Sequence, residues 1–435
     1  MTSTATPTKD FSVAIVGGGI GGLTLAIGLY DRGVPVRIFE SAPKFSEIGA
    51  GIAVSPSAQE VLKRLNLYDD FLKIADFPSR NLFFQWRLAE PEEQTLLSET
   101  FCKKYGMASI HRAEWLDTFV KKVPKEICQF GKRLKTVHHP ATPQGKVKID
   151  FEDGTSHEAD LVIGCDGIHS RVRGALDPAT AGPSAVAGSD ALVWSGTWAY
   201  RGLIPRERFA EALGKEKGEF YADTAQMMLA KDSHILIFPI QGGKTVNLVA
   251  FKTDRTRWPQ RTPFPKGEHL IQETSQQALL DDFETYSSDL KKMLHCIDKP
   301  TKWALHQVVP SLTSYTNGRV IVSGDAAHGG VPHQGAMAGQ AIEDALFLSQ
   351  LLSHPKVYNG NLTKALQVYD KIRVPRANRV LETSLEAGDT YEFRGVGADD
   401  PQALGKHLVE RFDHIWDYDL DKENELMNEW IQENL

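Results

Sequence analysis

Gly17-x-Gly19-x-x-Gly22 follows an apolar run at 13–16, and Glu40 stands 23 residues after Gly17 at the end of a second apolar run, 36–39. That arrangement suits a dinucleotide. Gly17 permits a tight turn, Gly19 lets a pyrophosphate approach the backbone, and Gly22 lets a helix lie close on the strand, its N-terminal N–H groups facing the anion. Glu40 can accept the ribose hydroxyls of an adenosine. Two more carboxylates stand at glycine turns after apolar runs, Asp166 before Gly167 and Asp325 after Gly324. Two further residues could handle an acid substrate. The planar guanidinium of Arg201 matches a carboxylate bidentately, and the imidazole of His333 can take a proton near neutral pH. Each has a plainer alternative: a salt-bridged structural arginine, and a histidine satisfied by backbone. No His, Cys, Asp and Glu set has metal-ligand spacing, so no metal is expected, and there is no Gly-x-Ser-x-Gly nucleophile motif.

The elements that must carry these groups alternate strand and helix. The run 13–16 leads through the glycines into a helix and then a strand at 36–39, the start of a parallel α/β sheet. Residues 58–75 read as an amphipathic helix, 81–87 and 107–111 as strands, and 114–123 as a helix. Segments 134–137, 146–151 and 156–160 form a meander, with Asp153-Gly154 as a hairpin turn. A buried strand at 161–164 follows. From 191 to 252 strand patterns dominate, at 192–203, 220–229, 234–239 and 245–251, so a second, sheet-rich region is expected there. Residues 272–294 read as helical, 319–323 as a short buried strand, 338–352 as a helix, and the remainder as helical. The first ten residues read as a loose tail.

Composition narrows the class. A chain of 435 residues with 41% hydrophobic and 24% charged residues is an ordinary globular enzyme of two or three domains. The net charge of −7 argues against a nucleic-acid partner. The four cysteines are widely spaced and without a CxxC pair, which fits buried reduced thiols. Residues 11–29 carry no charge, as a membrane span or signal peptide would, but six of those 19 residues are glycine. The segment therefore reads as buried, and with no targeting signal evident the expected compartment is the cytosol.

The glycine motif, Asp160-Leu-Val-Ile-Gly-Cys-Asp166-Gly167-Ile-His-Ser170-Arg171-Val-Arg173 and Arg319-Val-Ile-Val-Ser-Gly324-Asp325-Ala326-Ala327-His328, in this order, resemble the group A flavoprotein aromatic hydroxylases of the p-hydroxybenzoate hydroxylase type. Within that group, Ser195-Gly-Thr-Trp-Ala-Tyr-Arg201-Gly, Trp303-Ala-Leu-His306, Pro332-His333-Gln334-Gly335-Ala336 and Arg411-Phe412-Asp413-His414-Ile-Trp416 resemble the salicylate hydroxylase family. Met337 departs from the pattern, where small residues are usual. The resemblance implies an α/β fold: a discontinuous Rossmann-like FAD-binding domain over 9–180 and 300–395, an inserted β-sheet substrate domain over 181–299, and a helical C-terminal tail over 396–435.

It also implies site roles. Beside Gly17, Gly19, Gly22 and Glu40, the flavin would be contacted by Arg112, by the segment 47–52 including Gly51, and by Asp325 through its ribose or ribityl hydroxyls. Gly335, Met337 and Ala338 begin a helix whose N–H groups face the ring. Asp166 would lie near the cofactor, or cap the turn 167–173. Arg201 would anchor a substrate carboxylate with Phe238 facing the same cavity, unless Phe238 is plain core, and His333 would take the phenolic proton. The implied reaction is hydroxylation of a phenolic acid, foremost salicylate to catechol with loss of CO2, with FAD resident, NADH or NADPH transient, and O2 entering through a C4a-hydroperoxyflavin. Alternatives are a hydroxylase acting on 6-hydroxynicotinate or a phenolic polyketide, and a non-hydroxylating FAD reductase. The protein is expected to act as a monomer or homodimer, away from membranes.

Overall fold

The computed structural model describes residues 9–46, 51–89, 94–176, 192–257 and 271–435. Two sheets organise the chain. The first has six strands in the order Thr316–Asn317, Val320–Val322, Leu161–Gly164, Val13–Val16, Val36–Phe39 and Cys128–Gln129. All neighbours are parallel except the first pair. The central strands are fully buried apolar runs, as a sheet covered on both faces requires. Their register aligns Val16 with both Gly164 and Phe39, and Gly164 with Val322. The turns carrying Gly17, Glu40, Asp166 and Asp325 therefore leave the sheet side by side at the carboxyl ends of its strands, where open α/β sheets bind ligands.

The second sheet has eight strands: Ile271–Glu273, Thr301–Val308, Leu192–Pro205, Thr245–Thr253, Ser233–Ile240, Gln226–Ala230, Leu82–Leu88 and Leu96–Phe101. Strand alternation gives it two different faces. Tyr200, Ile235, Ile237, Leu248 and Ala250 pack under the helices Arg206–Leu213, Lys215–Asp223, Gln276–Asp282 and Ser288–His295. The alternate positions turn the other way: cross-strand register sets Arg201 against Val249 and Leu236, and His234 against Phe251. That face looks toward the first sheet, and between the two lies the cleft.

The mixed α/β architecture with a helical C-terminal region is as expected, and the meander appears as Leu134–His138, Val147–Phe151 and Ser156–Ala159. Several elements differ from expectation. The expected strand at 220–229 is half helix, Lys215–Asp223, because Gly218 lets this helix press on the one before it; a Cβ there would come within 2.2 Å of Ala210 O. The helix expected over 272–294 breaks into Gln276–Asp282 and Ser288–His295, and that over 58–75 into Pro56–Arg64 and Tyr68–Leu72, separated by Asn66 at φ 55°. Leu82–Leu88, Leu96–Phe101 and Thr301–Val308 join the second sheet, which thus reaches beyond the span 181–299. Residues 47–50 of the expected flavin segment and the expected boundary at 181 lie outside the described residues.

Candidate active site

The cleft consists of two cavities that share Gly19, Arg112, Cys165, Gly167 and His169. The first is lined by Gly17, Gly19, Glu40, Arg112 and Asp166. The second holds Gly51, Arg112, Arg201, Asp325, Gly335, Met337 and Ala338. The structure thus assembles on one continuous surface groups spread from residue 17 to residue 338. Gly22 stands behind the surface as a packing glycine, with a Cβ there only 2.1 Å from Gly17 O. Gly17 is fixed by conformation as well as space: its φ is +105°, and a Cβ would lie 2.3 Å from Cys165 O.

At the first cavity the polar groups are held by the protein. Glu40 accepts from Gly18 N at 2.8 Å with one oxygen and from Ala42 N at 2.7 Å with the other, fastening the glycine turn to the second strand. A carboxylate has about four acceptor positions, so ribose hydroxyls can still be accommodated. Asp166 accepts from Ser170 Oγ at 2.5 Å, Arg171 N at 2.7 Å and Val172 N at 3.1 Å, so it does cap the turn that follows it. Burial raises its carboxyl above the usual range despite those donors. Arg173 ties the two acidic turns together, donating to Ile168 O at 2.6 Å and Ala326 O at 2.9 Å.

The anion-binding ends are left open. Helix Ile20–Tyr30 has Gly19 as N-cap, with no side-chain cap and no acid in its first turn. Helix Met337–Ser353, capped by Ala336, starts the same way. Uncapped N–H groups facing a cleft favour negative charge there. Asp325 projects exposed into the second cavity. Its turn is braced from behind, where Gly324 N and His328 Nε2 donate to Asp344 Oδ2 at 3.1 and 2.7 Å and Arg373 Nε to Oδ1 at 2.9 Å. Burial pushes Asp344 up, but His328 and Arg373 outweigh it and hold the carboxylate well below its ordinary range. Glycine turns that admit close approach, a carboxylate beside them, a second carboxylate at the adjoining cavity and an uncapped helix end are groups that fit FAD.

Of the residues expected to handle substrate, Arg201 and Phe238 lie on strands of the second sheet and His333 on the loop before helix Met337–Ser353. Arg201 stacks over Trp303 at 4.9 Å, and its Nε has no hydrogen-bond partner among the described residues. Burial, with Arg112 nearby, brings its guanidinium down to about 10. Phe238 meets the flavin-side strand: a Cβ on Gly51 would be 2.9 Å from its ring, and Gly51 N donates to Asn247 Oδ1 at 3.0 Å. Phe238 is not among the residues lining the cavity of Arg201, where it was expected, because its ring turns toward an apolar pocket with Phe77, Phe83, Phe84 and Met107. Pro332 lines the second cavity. His333, next to it, is not among that cavity's lining residues; its ring sits between His234, Phe251 and Tyr391 at centroid distances of 5.1, 5.2 and 6.4 Å. His333 Nδ1 is buried without a partner. Burial first, then His234 and the charges of Arg255, Arg411 and Arg394, hold this imidazole well below 6.5 and hence neutral. Trp303, His306 and His169 also line the cavity. Sequence reasoning gave them no role, although His169 follows Asp166-Gly167-Ile and the pair Trp303 and His306 forms a motif of its own.

The FAD binding domain family matches residues 10–384. The chain is a flavin-dependent monooxygenase of the salicylate hydroxylase type. It is 40% identical over 422 residues to salicylate hydroxylase of Pseudomonas putida, covering 94% of this chain and 93% of that protein. It is 37% identical to 6-methylsalicylate 1-monooxygenase of Aspergillus terreus over 95% of this chain and 90% of that one. A solved salicylate hydroxylase substrate complex superposes with a TM-score of 0.85 at 35% identity, covering 96% of this chain and 98% of that one. The monooxygenase binds FAD, and its fold is that of the group A hydroxylases. Among the described residues no helix is long and apolar enough to cross a membrane, and no group of His, Cys, Asp and Glu could hold a metal ion.

Proposed function

We propose that the enzyme hydroxylates an anionic phenolic acid, foremost salicylate, to catechol with release of CO2, using NAD(P)H and O2. The observation that carries this reading is Arg201. It is a guanidinium on the inner face of the substrate sheet with no carboxylate partner among the described residues, in a cavity that also holds Arg112. Arg201 and the uncapped end of helix Met337–Ser353 on the same cavity make a site for an organic anion. The relatives named for salicylate and 6-methylsalicylate, which match nearly the whole chain, support the same substrate class.

FAD, when bound, supplies the redox chemistry, taking two electrons from NAD(P)H and delivering one oxygen atom of O2 to the ring. The protein's part is to place and charge the substrate. Arg201 holds the carboxylate bidentately. His333, kept neutral first by burial and then by the neighbouring charges, is the base we assign to the phenolic proton, because its neighbour Pro332 lines the cavity; the O–H bond breaks and its electron pair stays on oxygen. The resulting phenolate is electron-rich at the carboxyl-bearing carbon, so hydroxylation there and loss of CO2 restore the aromatic ring. The test is product analysis with salicylate: catechol and CO2 formed in step with NAD(P)H consumed support the reading, and NAD(P)H oxidation yielding only hydrogen peroxide rejects it.

A further inference from the structure

The apolar pocket behind Phe238 has no part in the reading above. Its volume is about 130 Å³. A cavity of roughly 150 Å³ holds one benzene ring, so the pocket is of the size of a single aromatic molecule. Phe77, 40% exposed, marks its mouth, and Met107, 4% exposed, its inner end. The wall between this pocket and the cavity of Arg201 is one side chain thick. Gly51 and Gly335 line that cavity. A Cβ on Gly51 would be 2.9 Å from the Phe238 ring, and one on Gly335 would be 3.1 Å from Ala53 Cβ and 3.9 Å from Met107 Cε. Phe238, Ala53 and Met107 are all walls of the pocket. Phe238 and Met107 are the members of this partition with side chains that can swing, and Phe238 is only half-buried, which leaves its ring room to turn.

The two sides of the partition differ in charge. Arg201 and Arg112 stand on the cleft side. The charged residues lining the pocket are two acids, Asp76 and Asp223. Asp223 is paired with Arg206, whose Nε and Nη2 donate to it at 2.9 and 2.7 Å. Both oxygens of Asp76 accept from Gly242 N, at 2.8 and 3.0 Å, and keep acceptor positions to spare. Apolar walls with a carboxylate at the rim suit a neutral aromatic that donates an O–H, and they disfavour an aromatic anion. The proposed reaction produces that change of charge. A carboxylate enters, and once CO2 has gone the remaining diphenol is neutral, since phenols ionise only near pH 10. We propose that this pocket receives the neutral diphenol product and leads it out, with Phe238 as the partition that yields. This rests on the reading of the substrate as a phenolic acid that loses CO2 in the cavity of Arg201. Substrate then arrives on the cationic side and product leaves on the other, so neither has to pass the other beside a resident cofactor.

The test uses the FAD-loaded enzyme with salicylate, NAD(P)H and O2. Ala225 is a half-buried wall of the pocket and lines neither cavity of the cleft, so Ala225→Trp fills the pocket alone. FAD content and salicylate affinity should stay at wild-type values, and rapid quenching should show catechol formed in the first turnover at the wild-type rate. The steady-state rate should fall about tenfold, because product release becomes limiting, and a burst should appear. A second measurement does not depend on the folding of that variant. Added catechol should inhibit the wild type without competing with salicylate, and Phe77→Ala, at the exposed mouth, should raise its inhibition constant about threefold or more with KM for salicylate unchanged. An unaltered steady-state rate in a folded Ala225→Trp enzyme overturns the inference, and so does catechol that competes with salicylate. Slower salicylate association in Ala225→Trp, followed by stopped flow, overturns it as well, because the pocket is then the way in. A wild type that forms no catechol overturns the phenolic-acid reading itself and this inference with it.

Discussion

At the first cavity, Glu40 and Asp166 receive six hydrogen bonds between them from neighbouring backbone, Ser41 and Ser170. At the ring end, Arg201 Nε, His234 Nε2, His333 Nδ1 and Asn247 Nδ2 are buried without partners. The first arrangement is finished in the protein itself and offers a rigid mould. In the second, Arg201 lines the cavity and is open to what binds there. A resident cofactor is suited to the one, and a transient substrate, whose own polar groups complete the site, to the other.

The sharpest way to break the contrast is at the mould. Gly17→Ala forces a Cβ onto Cys165 O at a positive φ, and the purified variant should be colourless; a normal flavin absorbance would show that the turn does not form the cofactor site. At the unfinished end, His333→Ala should slow hydroxylation roughly 10²–10⁴-fold while NAD(P)H oxidation continues and releases peroxide, so catechol per NAD(P)H is the measurement. Arg201→Ala removes one partner of a buried charge pair, worth about 2–5 kcal/mol, and KM for salicylate should rise ~30-fold or more with FAD affinity unchanged. An unaltered KM would return Arg201 to a structural role. Glu40→Gln disturbs acceptors that the turn already uses, and FAD should bind roughly tenfold more weakly, about 1.4 kcal/mol, by titration of the apoprotein.

The smallest effect separates the two ends by pH. His333 has its imidazole held below 6.5 in the fold, so between that folded value and 6.5 the unfolded chain binds a proton that the native protein does not. Stability is therefore full above about pH 6.5 and falls as the pH drops below it, by at most about 1.4 kcal/mol per pH unit for this group. His414, lowered to about 4 chiefly by burial, acts in the same sense. Melting curves from pH 7 to pH 5 should show a shallower decline for His333→Phe than for the wild type; parallel curves would mean that His333 is solvated.

The cofactor end was legible in the sequence because its signals are local. Gly17 to Glu40 is a single strand-turn-helix-strand unit, and Asp166 and Asp325 each follow a buried apolar run directly. The substrate end is built from distant pairs. Gln226–Ala230 lies parallel to Leu82–Leu88, some 140 residues earlier, and His234 meets Glu392 from 158 residues away. No periodicity announces either pairing. Lys215–Asp223 shows the same limit at smaller scale, since its helical state depends on Gly218 meeting Ala210 across a helix pair. The direction taken by the His333 ring, into the aromatic group rather than along the cavity wall beside Pro332, depends on room left by Gly388, where a Cβ would be 2.7 Å from the imidazole.

The brace behind Asp325 has a consequence for how the enzyme is made. Arg373, which holds Asp344, also donates to Glu343 Oε2 at 3.1 Å and to Glu423 Oε2 at 2.8 Å, and Tyr418 donates to that same Glu423 oxygen at 2.6 Å. Glu423 belongs to the final helix, Leu420–Asn434. The glycine turn is synthesised roughly 400 residues before Glu423, the carboxylate that completes the opposite wall's support. Until helix Leu420–Asn434 has docked, the wall that carries Asp325 lacks part of its brace, so cofactor affinity depends on a helix that touches neither cavity.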